Sequence, residues 1–316
     1  MWLETDLEPD DVLAIYTLPK RSVKWVVVGE GNASIKAARL NRYHQLLEQS
    51  GHCCFQSALR IIKGEDSDKQ FPGDGQEFDD LDVESEARRA TYSYRYKYDM
   101  ELWHFIDQND DPVMISLKPM RELVEWYKSA PDVAGDLLSK VTWYVYGGFN
   151  FRCIDDKEAL LQMMGRFKRV YIYESYHATA EQNSVNRINS PQLYTLLTES
   201  NNGFIDALSR ITRLWNGHIV QELKNSNSER AKKVVASVTG NEQFQYVLAD
   251  FALTSLIGIS DAELTGRLQH IGAIRFDSNG YISFQETTDG TILLYKNLGF
   301  EYVYNIVVRA IKRRVK

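Results

Sequence analysis

An α/β fold with a mainly parallel central sheet and flanking helices is what the sequence predicts, and three observations predict it. The run Lys24-Trp25-Val26-Val27-Val28-Gly29 is β-branched and apolar throughout, as a strand buried on both faces of a parallel sheet must be. Further strand candidates at 58–63, 113–117, 141–146 and 170–173 are each separated from the next by a helical or polar stretch, the alternation that builds parallel sheets. With 316 residues, 44% of them hydrophobic, the chain can also fill a substantial core.

Taken in order, the elements begin with a very short strand that leaves Asp6 at its carboxyl end. Pro9 stiffens the turn, and Asp10 and Asp11 open the first helix, where free backbone amides favour negative charge. After the Trp25 strand, Asn32 is placed to cap a helix running from Ala33 to about Ser50. Ile35, Ala38, Leu46 and Leu47 mark its apolar side, and Gly51 ends it. Residues 63–86, with Gly64, Pro72, Gly73, Gly75 and the run Asp79-Asp80-Leu81-Asp82, lack periodicity and read as a surface loop with solvated charges. From Gly203 the pattern turns mainly helical, over 204–223, 228–238, 242–257 and 261–269. Strands at 273–276 and 281–284 flank the hairpin turn Asp277-Ser278-Asn279-Gly280, and 291–295 supplies another strand. The helices are expected to cover the sheet, giving a single domain over 1–316 with a mainly helical 203–270 and a terminal hairpin and helix at 273–316.

A formal charge of −6 argues against general nucleic-acid binding, although residues 309–316 form a basic tail that reads as a solvated helix end. Cys53, Cys54 and Cys153 are odd in number and two are adjacent, which fits reduced thiols and a cytoplasmic location. No signal-peptide pattern and no stretch of about 18 uncharged apolar residues is present, so no membrane association is expected. Homo-oligomerisation is left open.

The window Glu4-Thr5-Asp6-Leu7-Glu8-Pro9-Asp10-Asp11 holds five acidic residues. Carboxylates this close resist joint ionisation unless a cation neutralises them, and a hard divalent ion with oxygen ligands, Ca²⁺ first, suits them. Ordinary helix capping by Asp10 with solvated neighbours is the alternative.

The same window resembles the Asp-x-Asp-x-x-x-Asp-Asp loop of the inosine-uridine-preferring nucleoside hydrolase family. Three further segments match in order: Gly31-Asn32 with Asn41 nine residues later, Tyr146-Gly147-Gly148-Phe149-Asn150-Phe151 followed by Asp155 and Ala159, and Leu248-Ala249-Asp250-Phe251 before a helix. The resemblance implies a nucleoside hydrolase-like, Rossmann-like open sheet and a Ca²⁺-dependent hydrolase of nucleosides or related ribosyl compounds. It implies that Asp6, Asp11 and Asp250 ligate Ca²⁺ together with a backbone carbonyl near Leu117. Asp6 would also take a proton from the attacking water, Asn41 would help position that water, and Asp10 and Asn150 would bind ribose hydroxyls. N-glycosidic cleavage passes through an oxocarbenium-like state, so anions, a base and a metal beside the sugar suit it.

The departures carry their own expectations. Glu4 stands where the family has a supporting Asp, and Ala249 where it has a His that serves as candidate proton donor to a leaving purine. The 147–150 region lacks the longer loop that reaches the 5′ side of ribose, so that pocket is open or rebuilt. His177, in Tyr171-Ile172-Tyr173-Glu174-Ser175-Tyr176-His177 at a strand's carboxyl end, is the replacement donor to test first; a surface histidine is the alternative. His44 and His52 flank a helix end, where capping or solvation is the reading, and His104, His218 and His270 are isolated. Tyr92, Tyr94, Tyr96 and Tyr98 alternate with Ser93, Arg95 and Lys97 as an aromatic basic strip for base stacking, or as an amphipathic strand. Three functions follow: a nucleoside hydrolase, a hydrolase of a larger ribosyl conjugate, and a ligand-binding or scaffold protein of the same fold without hydrolysis.

Overall fold

Chain order gives β1 (Trp2–Thr5), α1 (Pro9–Thr17), β2 (Val23–Val28), α2 (Ala33–Gln49), β3 (Phe55–Lys63), α3 (Tyr98–Asp107), β4 (Val113–Ser116), α4 (Arg121–Ser129), α5 (Pro131–Leu138) and β5 (Thr142–Tyr146). The second half gives α6 (Phe149–Arg152), α7 (Lys157–Met164), β6 (Arg169–Tyr173), α8 (Ser175–Thr179), β7 (Arg187–Asn189), α9 (Pro191–Thr198), α10 (Gly203–Leu223) and α11 (Glu229–Val238). It closes with β8 (Gln245–Val247), α12 (Asp250–Leu256), β9 (Leu268–Phe276), β10 (Ile282–Glu286), β11 (Ile292–Tyr295) and α13 (Phe300–Val315). The structure, a computed structural model, describes residues 1–67, 76–78, 97–179, 187–199, 203–242, 245–247, 249–278 and 282–315. The acidic run 79–82, Tyr92, Tyr94 and Tyr96, and Asn279 and Gly280 of the hairpin turn lie outside the described residues.

Among the described residues nine strands form one sheet in the order β10-β9-β11-β6-β5-β4-β1-β2-β3. From β11 to β3 every pairing is parallel, and the edge hairpin β9–β10 joins β11 antiparallel, so the expected α/β class is the one found. The chain builds outward from β1 through β2 to β3, then returns to lay β4 on the other side of β1. That reversal makes the carboxyl ends of β1 and β4 a topological switch point, where open parallel sheets leave a crevice for ligands.

Helices cover both faces. Leu3, Val26, Val28 and Ile115 pack with α1, α2, α10, α12 and α13 on one face. Trp2, Trp25, Val27, Met114 and Trp143 pack with α3, α4, α5 and α7 on the other. The split follows from strand geometry, since successive side chains point to opposite faces. It explains why the central strands are apolar without alternation: neither face meets water.

Two helical expectations fail. Residues 242–257 divide into β8, paired antiparallel to β7, and the shorter α12. The Asn216 amide pins this break by donating to the carbonyls of Glu242 and Gln245 at 2.8 and 2.9 Å. Residues 261–267 form turns ended by Gly266 at φ 75°, and the chain passes directly into β9. Among the described residues no helix is long and apolar enough to cross a membrane. Cys53, Cys54 and Cys153 are not joined in a disulfide.

Candidate active site

The turn after β1 gathers the carboxylates. Thr5 faces α1, and its hydroxyl donates to Asp11 Oδ1 at 2.7 Å while accepting the Leu7 amide at 3.0 Å. Leu7 sits at φ 53°, a left-handed conformation that costs a branched residue about 1–2 kcal/mol. Its reward is that Asp6 and Asp11 meet side by side. Pro9 starts α1 at the position where a missing N–H does no harm, and Asp10 and Asp11 occupy its first turn. From the far end of the chain, Asp250 opens α12 and lies against α1. Carboxylate oxygens of Asp10, Asp11 and Asp250 all fall within 4.8 Å of one another.

Asp6, Asp11 and Asp250 are buried and Asp10 is half-buried. Burial, then the Asp6 and Asp10 charges, pushes the Asp11 carboxyl well above the usual carboxylate range. Asp250 is raised well above it in the same way, by burial first and then by Asp10, Asp11 and Asp6. Asp250 Oδ1 is buried with no hydrogen-bond partner among the described residues. A buried, partnerless carboxylate oxygen aimed into a carboxylate cluster is where a cation would be held.

Of the remaining residues picked out in the sequence, Leu117 directly follows β4 at the switch point, and its carbonyl accepts from the Asn150 amide at 2.7 Å. Asn150 is therefore beside the switch point, with its amide already holding backbone. Gly147 and Gly148 alone separate β5 from α6, with Gly148 at φ 55°, so the expected short connection is present. Phe149 is 55% exposed above it. His177 lies on α8 with Nδ1 2.8 Å from Glu174 Oε2 and its ring edge-on to Phe284 of β10. Burial, with smaller contributions from the Glu174 and Asp250 charges, raises the Tyr146 and Tyr173 hydroxyls above their ordinary pKa.

Asn41 requires a correction: it is exposed on α2. Asn32 does cap the helix, accepting the Ile35 amide at 3.1 Å, but the buried face that follows is Lys36, Arg39, Leu40, Tyr43 and Leu47. At 3.6 residues per turn Asn41 lies roughly 140° round the helix from Lys36. Lys36 and Arg39 take the inward place instead. The Lys36 ammonium donates to the Asp6 backbone carbonyl, and Arg39 donates to the Leu7 carbonyl at 3.3 Å and to Glu77 at 2.5 Å. Both cations are buried against the turn that carries Asp6, and sequence reading passed over them because Lys and Arg on a helix ordinarily face solvent.

Glu4 is on the opposite face of β1. It is fully buried, and its carboxylate accepts from Trp2 at 3.2 Å, Tyr98 at 2.7 Å and Ser116 at 2.8 Å. It thus ties β1 to β4 and α3 underneath the cluster.

A narrow cleft of about 20 Å³ beside the cluster is lined by Asp10, Leu13, Trp215, Asn216 and Tyr246. The larger groove, about 410 Å³, lies among α3, α4 and α5 on the other face and shares no residue with the carboxylates. The chemistry assigns the site to the carboxylates, whatever the relative volumes.

No known protein-family profile matches this chain, and no curated protein matches it. Solved structures do. A plant nucleoside hydrolase, PpNRh1, is 15% identical with a TM-score of 0.56, covering 98% of this chain and 98% of its own. The type III effector XopQ, solved in complex with adenosine diphosphate ribose, is 12% identical with a TM-score of 0.60, covering 100% of this chain and 94% of its own. The effector XOO4466 is 13% identical with a TM-score of 0.60, covering 100% and 93%. The chain therefore has the nucleoside hydrolase-like fold expected from its sequence.

Proposed function

We propose that the chain is a Ca²⁺-dependent hydrolase of N-glycosidic bonds in nucleosides or related ribosyl compounds, working in the cytosol as one domain over 1–316. The observation that carries this reading is the convergence of Asp10, Asp11 and Asp250, whose buried Oδ1 has no hydrogen-bond partner among the described residues, at the carboxyl end of β1. The donor set fits the ion: Asp6, Asp11, Asp250 and the Leu117 carbonyl are all hard oxygens, and a carbonyl that accepts from Asn150 keeps a second lone pair. When bound, Ca²⁺ would supply Lewis-acid activation of a water and an oxygen-rich shell that ribose hydroxyls complete. Asp6 accepts the proton of that water. Asp10, half-buried at the edge, and Asn150 orient the ribose hydroxyls, while the surrounding carboxylates stabilise positive charge developing at the anomeric carbon.

Ala249, 5% exposed at the head of α12, offers no proton to the leaving base. His177, polarised by Glu174, is the donor in this reading. Substrates whose leaving group departs without protonation should then be favoured. The short 147–150 turn and the exposed Phe149 support an open 5′ side, so a ribosyl conjugate such as ADP-ribose belongs among the compounds tested.

The test is chromatography of free base and free sugar after incubating protein and Ca²⁺ with 4-nitrophenyl riboside, inosine, uridine and ADP-ribose. The nitrophenyl compound is expected to react fastest. His177→Ala should slow inosine by up to roughly 10²–10⁴ while leaving the nitrophenyl riboside much less affected. Release of sugar from no compound, in either wild type or Ala249→His, would overturn hydrolysis. The second reading, a ribosyl-binding protein without turnover, is favoured by Ala249 and would then stand.

A further inference from the structure

A second set of ligand-type side chains lies at the opposite end of α2, away from the carboxylates. His44 and Glu48 stand one turn apart on the helix, which puts both side chains on one face. Gly51, at φ 73°, turns the chain back at the helix end, and the His52 amide closes that turn on the Leu47 carbonyl at 3.2 Å. The return places the buried Cys53 against the last helical turn just before β3. One donor atom each of His44, Glu48 and Cys53 lies within 4.8 Å of the others.

Two details point to a ligand rather than to a chance encounter. His44 Nε2 is buried and makes no hydrogen bond among the described residues, while its ring is held edge-on to Phe55 at 5.4 Å. Glu48 divides its oxygens: Oε2 lies 3.6 Å from Arg21, leaving Oε1 3.8 Å from His44 Nε2. With metal bonds of about 2.0–2.3 Å, neighbouring ligand atoms of a tetrahedral site stand about 3.3–3.8 Å apart. The His44–Glu48 pair, a nitrogen and an oxygen 3.8 Å apart, would close by a few tenths of an ångström on an ion. The site also lies at the C-terminal end of α2, where the helix dipole favours a cation.

We propose that His44, Glu48 and Cys53 form a binding site for a borderline-soft divalent cation of the zinc type, distinct from the hard-oxygen site at Asp11 and Asp250. One nitrogen, one oxygen and one thiolate sulfur suit zinc and disfavour calcium. Three protein ligands leave the fourth position to water. The ion would clamp the end of α2 to the start of β3, and its assignment is independent of any ribosyl chemistry.

Co²⁺ titration of the full chain tests this, because a thiolate ligand gives cobalt a strong near-ultraviolet charge-transfer absorption. The expected result is a band saturating at about one equivalent, bleached by Zn²⁺, lost in Cys53→Ser and His44→Ala, and kept in Cys54→Ser, Cys153→Ser and Asp11→Asn. Circular dichroism checks that each variant is folded, and should Cys53→Ser not fold, the half-buried His44→Ala decides. No thiolate band in folded wild type, or a band that survives His44→Ala or a folded Cys53→Ser, would overturn the site.

Discussion

Burial and the neighbouring charges of Asp10, Asp11 and Asp6 hold the Asp250 carboxyl well above the usual carboxylate range, and Asp11 is raised likewise. An acid raised on folding stabilises the protein below its unfolded pKa of about 3.9, and that contribution is lost as pH rises through the folded value. In chelator, Asp250→Asn should therefore melt above wild type at pH 7, by roughly 2 °C per kcal/mol of relieved repulsion. The gap should close toward pH 4. With saturating Ca²⁺ the order should reverse, since only wild type gains the roughly 2.7 kcal/mol expected at a hundredfold excess over Kd. Differential scanning calorimetry at both pH values reads this, and a wild type as stable as the variant in chelator at pH 7 would count against the repulsion. Asn150 yields a second prediction. Its amide bond to the Leu117 carbonyl means that Asn150→Ala should cost about 1 kcal/mol of stability in denaturant melts as well as weakening ribose binding. The acidic residues were legible in the sequence because repulsive spacing is itself a signal. Lys36 and Arg39 were not, because nothing in a helical pattern marks which cations turn inward.

At the scale of elements, the site stands on a second buried network beneath the sheet. Lys118, just past β4, donates to Glu122 of α4 at 2.5 Å. Burial opposes the Lys118 charge, but Glu122 and then Glu4 outweigh it and raise its pKa. Burial likewise opposes the Glu122 charge, yet Lys118 lowers its pKa. Glu122 therefore adds stability above the ordinary carboxylate range that is lost as pH falls through its lowered value. Lys118→Met, which leaves two buried acids uncompensated, should cost about 3–5 kcal/mol, and adding Glu122→Leu should restore part of it. Equilibrium unfolding in urea checks both, and no recovery in the double variant would speak against the pairing. Strand β2 was readable because burial on both faces leaves an almost continuous apolar run, and the other parallel strands because they alternate with helical stretches. Short β8 and the start of β9 were not, since Asn216 and the pairing with β7 decide the first, and the pairing with β11 the second, from residues distant in sequence.

Across the whole molecule, the cluster unites residues 6, 10 and 11 with residue 250 at the point where the strand order reverses. The resemblance to the nucleoside hydrolase family implied that union, while the sheet order and the antiparallel edge needed the three-dimensional pairing. Asp10→Ala, which removes a half-buried carboxylate at the crevice edge, should weaken ribose or nucleoside binding without unfolding the protein. Calorimetric titration with inosine reads it, and unchanged affinity would remove Asp10 from the site. The most direct measurement of the central claim is calorimetric titration of Ca²⁺ into chelator-treated wild type, Asp11→Ala and Asp250→Ala, followed by inosine. The account predicts one saturable Ca²⁺ site in wild type, none in either variant, and inosine binding only after Ca²⁺. A wild type without saturable heat, or equal heats in all three proteins, would contradict it.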